Sequence, residues 1–347
     1  MKTKGFAAFA VLCFLGSPFL ASGARADNPG LWTFEDRPYY QPLIAGVREA
    51  HISALALAWA DRMPFMVSKQ SPRRMWDIDV GAELPLIGWD SRSDSEGLPP
   101  KGAVGFGLWL PIDFHMIEDF VDDSAPIVNT DYRFGLMAKI RRSLGDGKAL
   151  AVRVFVGHES THLGDEFSIV GQRRFPRDFE RIDVSWEFLD VGVLYQWPGR
   201  RTAWNARGGV TMTVPFGDTY YLTGPENITQ SPRGPVTESK NWVDPYAGIE
   251  VNWEEAFPSE HNLGYDLYLS SEVRWRSVYD YHKARLDSAE DRQVSVNLIL
   301  GVKKTGRGNG IGRVSPFVRL YDGVNPHGQF RNQKNYTEWG IGLRLVR

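Results

Sequence analysis

Cysteine is almost missing from this chain: its 347 residues contain one, Cys13. There is therefore no disulfide framework, and beyond the first apolar stretch no thiol nucleophile and no thiolate metal site. Long hydrophobic runs are missing as well. After the N-terminal stretch no segment reaches ~18 consecutive apolar residues, so no spanning helix is expected. Positive charge is not in excess either, with 40 Lys and Arg against 42 Asp and Glu. A nucleic-acid partner needs a basic surface and is not expected.

What is present begins with a short positive start, Lys2 and Lys4, followed by an apolar run from Phe6 to Leu20. The run ends in small residues, with Ala24-Arg25-Ala26 before Asp27. That is the layout of a secretory signal peptide, and the run is shorter than a membrane anchor requires. Cleavage after Ala26 removes Lys2, Lys4 and Arg25 and no acid, leaving 37 bases against 42 acids, a net charge of −5. The expected division is a signal peptide over 1–26, an N-terminal periplasmic segment over 27–50 and a barrel over 51–347.

Alternation carries the fold. Trp76, Ile78, Val80, Ala82 and Leu84 interleave with Asp77, Asp79, Gly81 and Glu83. Tyr132, Phe134, Leu136, Ala138 and Ile140 interleave with Arg133, Lys139 and Arg141, and similar runs recur to the end of the chain. Period two with charge on one face describes a sheet apolar on one side only. A soluble sandwich shares that period. Runs of about nine to thirteen residues with charges in mid-strand instead fit tilted membrane strands. The spacing predicts strands near 51–60, 74–86, 102–116, 131–143, 149–162, 181–196, 202–216, 242–253, 264–276, 292–303, 314–322 and 336–346. The Ala-rich first of these also suits a short helix. An all-β, antiparallel transmembrane β-barrel of about 12 strands follows, in the bacterial outer membrane, with both termini periplasmic.

Tight turns at 144–148 and 198–201 belong at the periplasmic end, and long polar connections at 163–180, 217–241, 277–291 and 323–335 at the extracellular end. Asp77, Glu83, Arg133, Lys139, Arg153 and Glu272 are expected to line the lumen. Trp197 and Trp204 bracket a turn, while Trp89 and Trp253 sit at strand ends, as interface girdles do. Near the C-terminus Glu338, Gly340, Leu343 and Leu345 resemble the signal read by the barrel-assembly machinery, although Arg347 stands where an aromatic is usual.

The most unusual stretch is Val156-Gly-His158-Glu-Ser160-Thr-His162-Leu-Gly-Asp165-Glu166. Val152, Val154 and Val156 form an aliphatic face, and parity places His158, Ser160 and His162 on it, toward lipid near the outer rim. A histidine and a serine two apart on one strand face can pair for general-base activation. Ser160 is the expected nucleophile and His158 the base, with His162, Asp165 and Glu187 as further candidates. Parity with Trp186 and Phe188 read as lipid-facing puts Glu187 inward, so Asp165 or Glu166 folding back over the rim is the alternative orienting acid. Wetted rim residues before a loop would look the same.

A second polar cluster, Tyr321 to Phe330, offers Asp322, Asn325, His327 and Gln329 as binding residues. Asp322, His327 and the first cluster together could hold a divalent cation such as calcium.

The H-x-S pair resembles that of outer-membrane phospholipase A and the lipid A deacylase barrels, although Thr161 stands where those enzymes carry Asn. More of the chain resembles a bacterial envelope family of unknown function. The likeness rests on YYQPLIAGVR (39–48), HESTHLGDE (158–166), YDGVNPHGQF (321–330), and Ser185 and Glu187 in VSWE. It implies an outer-membrane-like barrel with no established activity. Two readings stay open: an acyl-ester hydrolase acting on outer-membrane lipid or lipopolysaccharide, and a non-enzymatic barrel, either a narrow pore or a surface protein.

Overall fold

The computed structural model describes residues 30–33, 44–46, 48–50, 52–61, 75–91, 100–119, 127–163, 181–213, 219–223, 235–236, 242–257, 264–278, 292–304, 313–331 and 334–346. The expected signal peptide lies outside them. None of the described helices is long and apolar enough to cross a membrane.

Strands β1 (Gly30–Thr33), β2 (Ile52–Asp61), β3 (Met75–Asp90), β4 (Val104–Asp119) and β5 (Ile127–Gly145) come first. They are followed by β6 (Lys148–Leu163), β7 (Arg181–Pro198), β8 (Thr202–Thr213), β9 (Thr219–Thr223) and β10 (Pro235–Val236). The last are β11 (Val243–Phe257), β12 (Tyr265–Ser277), β13 (Arg292–Lys304), β14 (Arg313–Gly323) and β15 (Tyr336–Val346). Each of β2 to β8 pairs antiparallel with its sequence neighbour, β8 pairs with β11, and β11 to β15 continue the meander. β15 then pairs with β2, Ile341 facing Ala56, and the sheet closes into a twelve-strand barrel. Closure leaves the twelve barrel strands without the free edges that a lone sheet of this length would expose to aggregation.

Ala-rich 52–61 is therefore a strand and not a helix, because both its neighbours supply backbone partners. Two short strands inside the expected 217–241 loop, β9 and β10, extend the wall beyond β8, with β9 pairing on β7.

Turn chemistry explains the short connections. Between β5 and β6 the chain reverses at Asp146-Gly147, whose φ angles are 52° and 74°. Two successive positive φ values make a primed hairpin turn, and Asp-Gly is a preferred dipeptide for it. The β7–β8 turn spans only Gly199–Arg201. Tyr195, Trp197 and Trp204 stack beside it, with ring centroids 5.3 and 5.7 Å apart in sequence. Antiparallel order places both of these turns, the start of β2 and the end of β15 at the same end of the barrel. The longer β6–β7 and β14–β15 connections lie at the other.

The radial distribution of residues is the inverse of a soluble protein. Outside, Phe134, Leu136, Val156, Ile341 and Leu343 are each about half exposed. Inside, Asp77, Arg133, Lys139, Arg153, Asp190, Glu272 and Arg274 are all buried. An apolar exterior with a charged interior suits hydrocarbon around the barrel.

Many of the interior charges are paired, and the chain itself enters the lumen. Residues 44–46 and 48–50, expected as part of a periplasmic segment, lie inside the barrel. The Ala45 amide donates to Ser270 Oγ at 2.9 Å and its carbonyl accepts from Asn297 Nδ2 at 2.8 Å. Arg48 pairs with Glu159, and Glu49 bridges Arg153 (2.5 Å) and Arg207. The physical reason is complementarity: wall arginines at 153 and 207 need a buried carboxylate, and Glu49 supplies it.

From the other end Gly323–Arg331, expected as an extracellular loop, also turns inward. Val324, Asn325, His327 and Arg331 are fully buried. Arg331 pairs with Asp244 at 2.5 Å and lies over the Trp242 ring, 4.3 Å from its centroid. Arg276 Nη1 donates to the carbonyls of Val324 and Asn325, both at 3.4 Å.

Gly209 shows how tightly the wall packs. A Cβ there would sit 2.4 Å from both Tyr246 Oη and the Val191 carbonyl. Tyr246 needs that space, because its hydroxyl donates to Asp190 at 3.1 Å while Arg274 covers its ring at 4.4 Å.

Candidate active site

The outward face of β6 carries Val152, Val154 and Val156 and then turns polar at His158, Ser160 and His162. Arg153, Phe155, Glu159 and Thr161 fill the inward face. On β7 the parity differs from the sequence expectation. Trp186 and Phe188 are buried in the lumen, and Ser185 and Glu187 face outward.

The cause lies inside the barrel. Phe188 packs edge-on against Phe155, with centroids 4.9 Å apart, beneath the Arg133 guanidinium at 4.8 Å. Trp186 stands between the guanidinium groups of Arg48 and Arg331, at 5.8 and 5.5 Å. Both aromatics turn inward because the lumen offers them cations and rings, a preference that competes with lipid. A signal for this was present. Asp190 shares parity with Phe188, and Val191, Val193 and Tyr195 share it with Ser185 and Glu187, so the aliphatic positions mark the outer face.

This parity builds a four-residue square on the barrel exterior. His158 lies directly across from Glu187, and Ser160 directly across from Ser185. His158 Nδ1 is 2.8 Å from Glu187 Oε1, and His158 Nε2 is 3.2 Å from Ser185 Oγ. Ser160 Oγ is 2.8 Å from His162 Nε2, not joined to His158 as expected. The His158 and Glu187 side chains retain 27% and 39% of their exposure, so the group is open to a ligand. Phe134 flanks His158 at 5.3 Å, and Tyr132 flanks His162 at 5.7 Å, edging the site with aromatic rings. A carboxylate, an imidazole and a hydroxyl in that order form the arrangement by which a serine is deprotonated for attack. Asp165 and Glu166 lie outside the described residues.

The second expected cluster does not join the first. Asp322 is exposed and accepts from Thr337 Oγ1 at 2.7 Å. His327 goes the other way, into the lumen. Its amide donates to Asn325 Oδ1 at 3.0 Å, which makes Asn325 a turn-former. Gln329 lies in the short 3-10 turn Gly328–Phe330, and its side chain is outside the described residues. A divalent site shared by Asp322, His327 and the outward cluster is thereby corrected, because the barrel wall separates these groups. His327 instead meets Asp77 and His115, a group the sequence reading missed. Burial, and after it the neighbouring His115, holds the His327 imidazole well below the usual histidine range.

Fold and radial polarity together define a closed twelve-strand β-barrel of the outer-membrane type. Residues 112–223, from β4 through β9 and including the whole outward cluster, match the family described as Protein of unknown function (DUF1207). No curated protein matches the chain. Among solved structures the chain is similar to an active-site mutant of outer membrane phospholipase A from Escherichia coli. That match has 13% identity, covers 90% of this chain and 94% of the other, and has a TM-score of 0.44. It is also similar to the translocator domain of the autotransporter NalP from Neisseria meningitidis. There the identity is 11%, the coverage 86% and 90%, and the TM-score 0.39.

Proposed function

We propose that this chain is a bacterial outer-membrane protein that hydrolyses acyl esters of membrane lipid at the barrel's outer surface. The observation that carries the proposal is the Glu187–His158–Ser185 chain of contacts, 2.8 and 3.2 Å, on the face that meets lipid. Ser185 is the nucleophile in this reading, replacing Ser160 because it is the hydroxyl in contact with His158.

The chemistry follows from the contacts. Glu187 accepts a hydrogen bond from the Nδ1–H of His158, which keeps that proton on Nδ1 and leaves the Nε2 lone pair toward Ser185. His158 takes the Ser185 proton as Oγ bonds to the acyl carbonyl carbon. The same proton then passes to the departing alkoxide as the ester C–O bond breaks. Water attacks the acyl-enzyme, His158 removes its proton, and the fatty acid leaves with Ser185 restored. Ser160, across the rung from Ser185, is placed to donate to the oxygen that becomes negative, and His162 fixes its rotamer.

A lipid substrate is favoured by position. The site lies on the outer wall, edged by Phe134 and Tyr132, and the exterior strand residues below it are aliphatic. Lumen filling by 44–46, 48–50 and Gly323–Arg331 leaves a pore without support. Purified protein, refolded in detergent and supplied with calcium, is expected to release fatty acid from dispersed phospholipid. Glu187→Gln is expected to slow the release by ~10⁴-fold, the loss seen when the orienting acid of a triad becomes its amide. Folded protein inert toward phospholipid, lipopolysaccharide and simple acyl esters overturns the proposal.

A further inference from the structure

The lumen holds a second constellation, separate from the outward site. Asp77 on β3, His115 on β4 and His327 on the inward segment each present a ligand atom, all within 4.8 Å of one another. His115 Nε2 already contacts Asp77 Oδ1. The imidazole rings of His115 and His327 lie 4.6 Å apart, tilted by 51°.

His327 is fully buried, and among the described residues neither of its ring nitrogens has a hydrogen-bond partner. Buried polar groups are nearly always satisfied, and leaving two nitrogens of one ring bare is costly. One of these nitrogens lies within 4.8 Å of the point where the His115 imidazole and the Asp77 carboxylate already meet.

Asp77 has the setting of a ligand. Its other oxygen, Oδ2, accepts from Arg319 Nη1 at 2.8 Å, which fixes the carboxylate plane and leaves Oδ1 for a cation. Outer partners of this kind orient ligands at metal sites. Glu338 also lies 3.3 Å from Arg319, so that guanidinium is shared between two carboxylates and its repulsion of a cation is reduced.

We propose that Asp77, His115 and His327 bind one divalent transition-metal ion of the zinc class, which ties the inward Gly323–Arg331 segment to the barrel wall. Two nitrogen donors and one oxygen select such ions over calcium, which takes oxygen ligands. At metal–ligand bonds of about 2.0–2.2 Å the ligand atoms of a tetrahedral site are roughly 3.3 Å apart, so binding draws these three together by side-chain rotation. The ion replaces the direct His115–Asp77 contact and occupies one of the bare nitrogens of His327. This assignment is independent of the outward site and of any activity.

The test uses the full chain refolded in detergent, stripped with a chelator and then equilibrated with zinc at buffered free concentrations. One zinc per chain is expected. His327→Gln is expected to weaken binding by at least ~10-fold, a loss even outer-shell changes can cause. A His158→Gln, His162→Gln double variant removes the imidazoles of the outward site and is expected to bind zinc unchanged. X-ray absorption of that zinc-loaded double variant, whose lumen is intact, is expected to show two imidazole ligands, so the answer does not depend on His327→Gln folding. No bound zinc, fewer than two imidazoles, or zinc lost in the exterior double variant overturns the assignment.

Discussion

Ser185→Ala is expected to lower lipid-ester turnover by at least ~10³-fold while leaving the barrel folded, because removing the nucleophile of a triad leaves only residual catalysis. The side chain is half-buried on the outer wall and its Cβ is unchanged by the substitution, so little packing is lost. Ser160→Ala is the informative partner. Ser160 contacts His162 at 2.8 Å and not His158. Losing one donor to an oxyanion costs about 10²–10³ in kcat, so this variant keeps measurable activity. Released fatty acid from mixed micelles of phospholipid, compared among the wild type and the two variants, checks the order. If Ser160→Ala is the silent variant and Ser185→Ala the active one, the contacts seen here rearrange in the working site and the nucleophile is Ser160.

Glu49→Ala is expected to destabilise the barrel by about 3–5 kcal/mol, the cost of leaving a buried charge uncompensated. Glu49 is 2% exposed and joins Arg153 to Arg207, while Glu272 holds the other side of Arg207. Without Glu49 those two arginines share a water-poor interior with fewer carboxylates. The urea midpoint of protein inserted in lipid vesicles reads the effect. In a double-mutant cycle with Arg207→Ala, the coupling is expected to reach about 0.5–3 kcal/mol, the range for residues in contact. A Glu49→Ala protein as stable as the wild type, with no coupling, means that Glu49 contributes nothing inside the barrel.

The strands were legible because lipid outside and charge inside enforce a strict period of two. Tyr132 to Ile140 reads this way, and its inward charges, Arg133 and Lys139, are buried as expected. Residues 181–188 misled for a physical reason. Large aromatics such as Trp186 and Phe188 look lipid-facing, yet lumen arginines hold them by cation–π contact. The same reading sent Glu187 inward and concealed the site, though the valines at 191 and 193 carried the right parity.

The plug was not legible at all. Arg48 and Glu49 look like ordinary surface charges until their partners, Glu159, Arg153 and Arg207, are brought around them, more than 100 positions away in sequence. His327 read as a loop residue for the same reason, since His115 and Asp77 come from the opposite end of the chain.

The central claim is that Glu187, His158 and Ser185 make one activated hydroxyl on the barrel's lipid face. The most direct measurement is the site of reaction with a serine-directed fluorophosphonate, located by mass spectrometry of the refolded, detergent-solubilised protein. The account predicts a single adduct on Ser185 that is lost in Ser185→Ala and His158→Gln and retained in Ser160→Ala. A folded protein that takes up no probe, or takes it up on Ser160 alone, contradicts it.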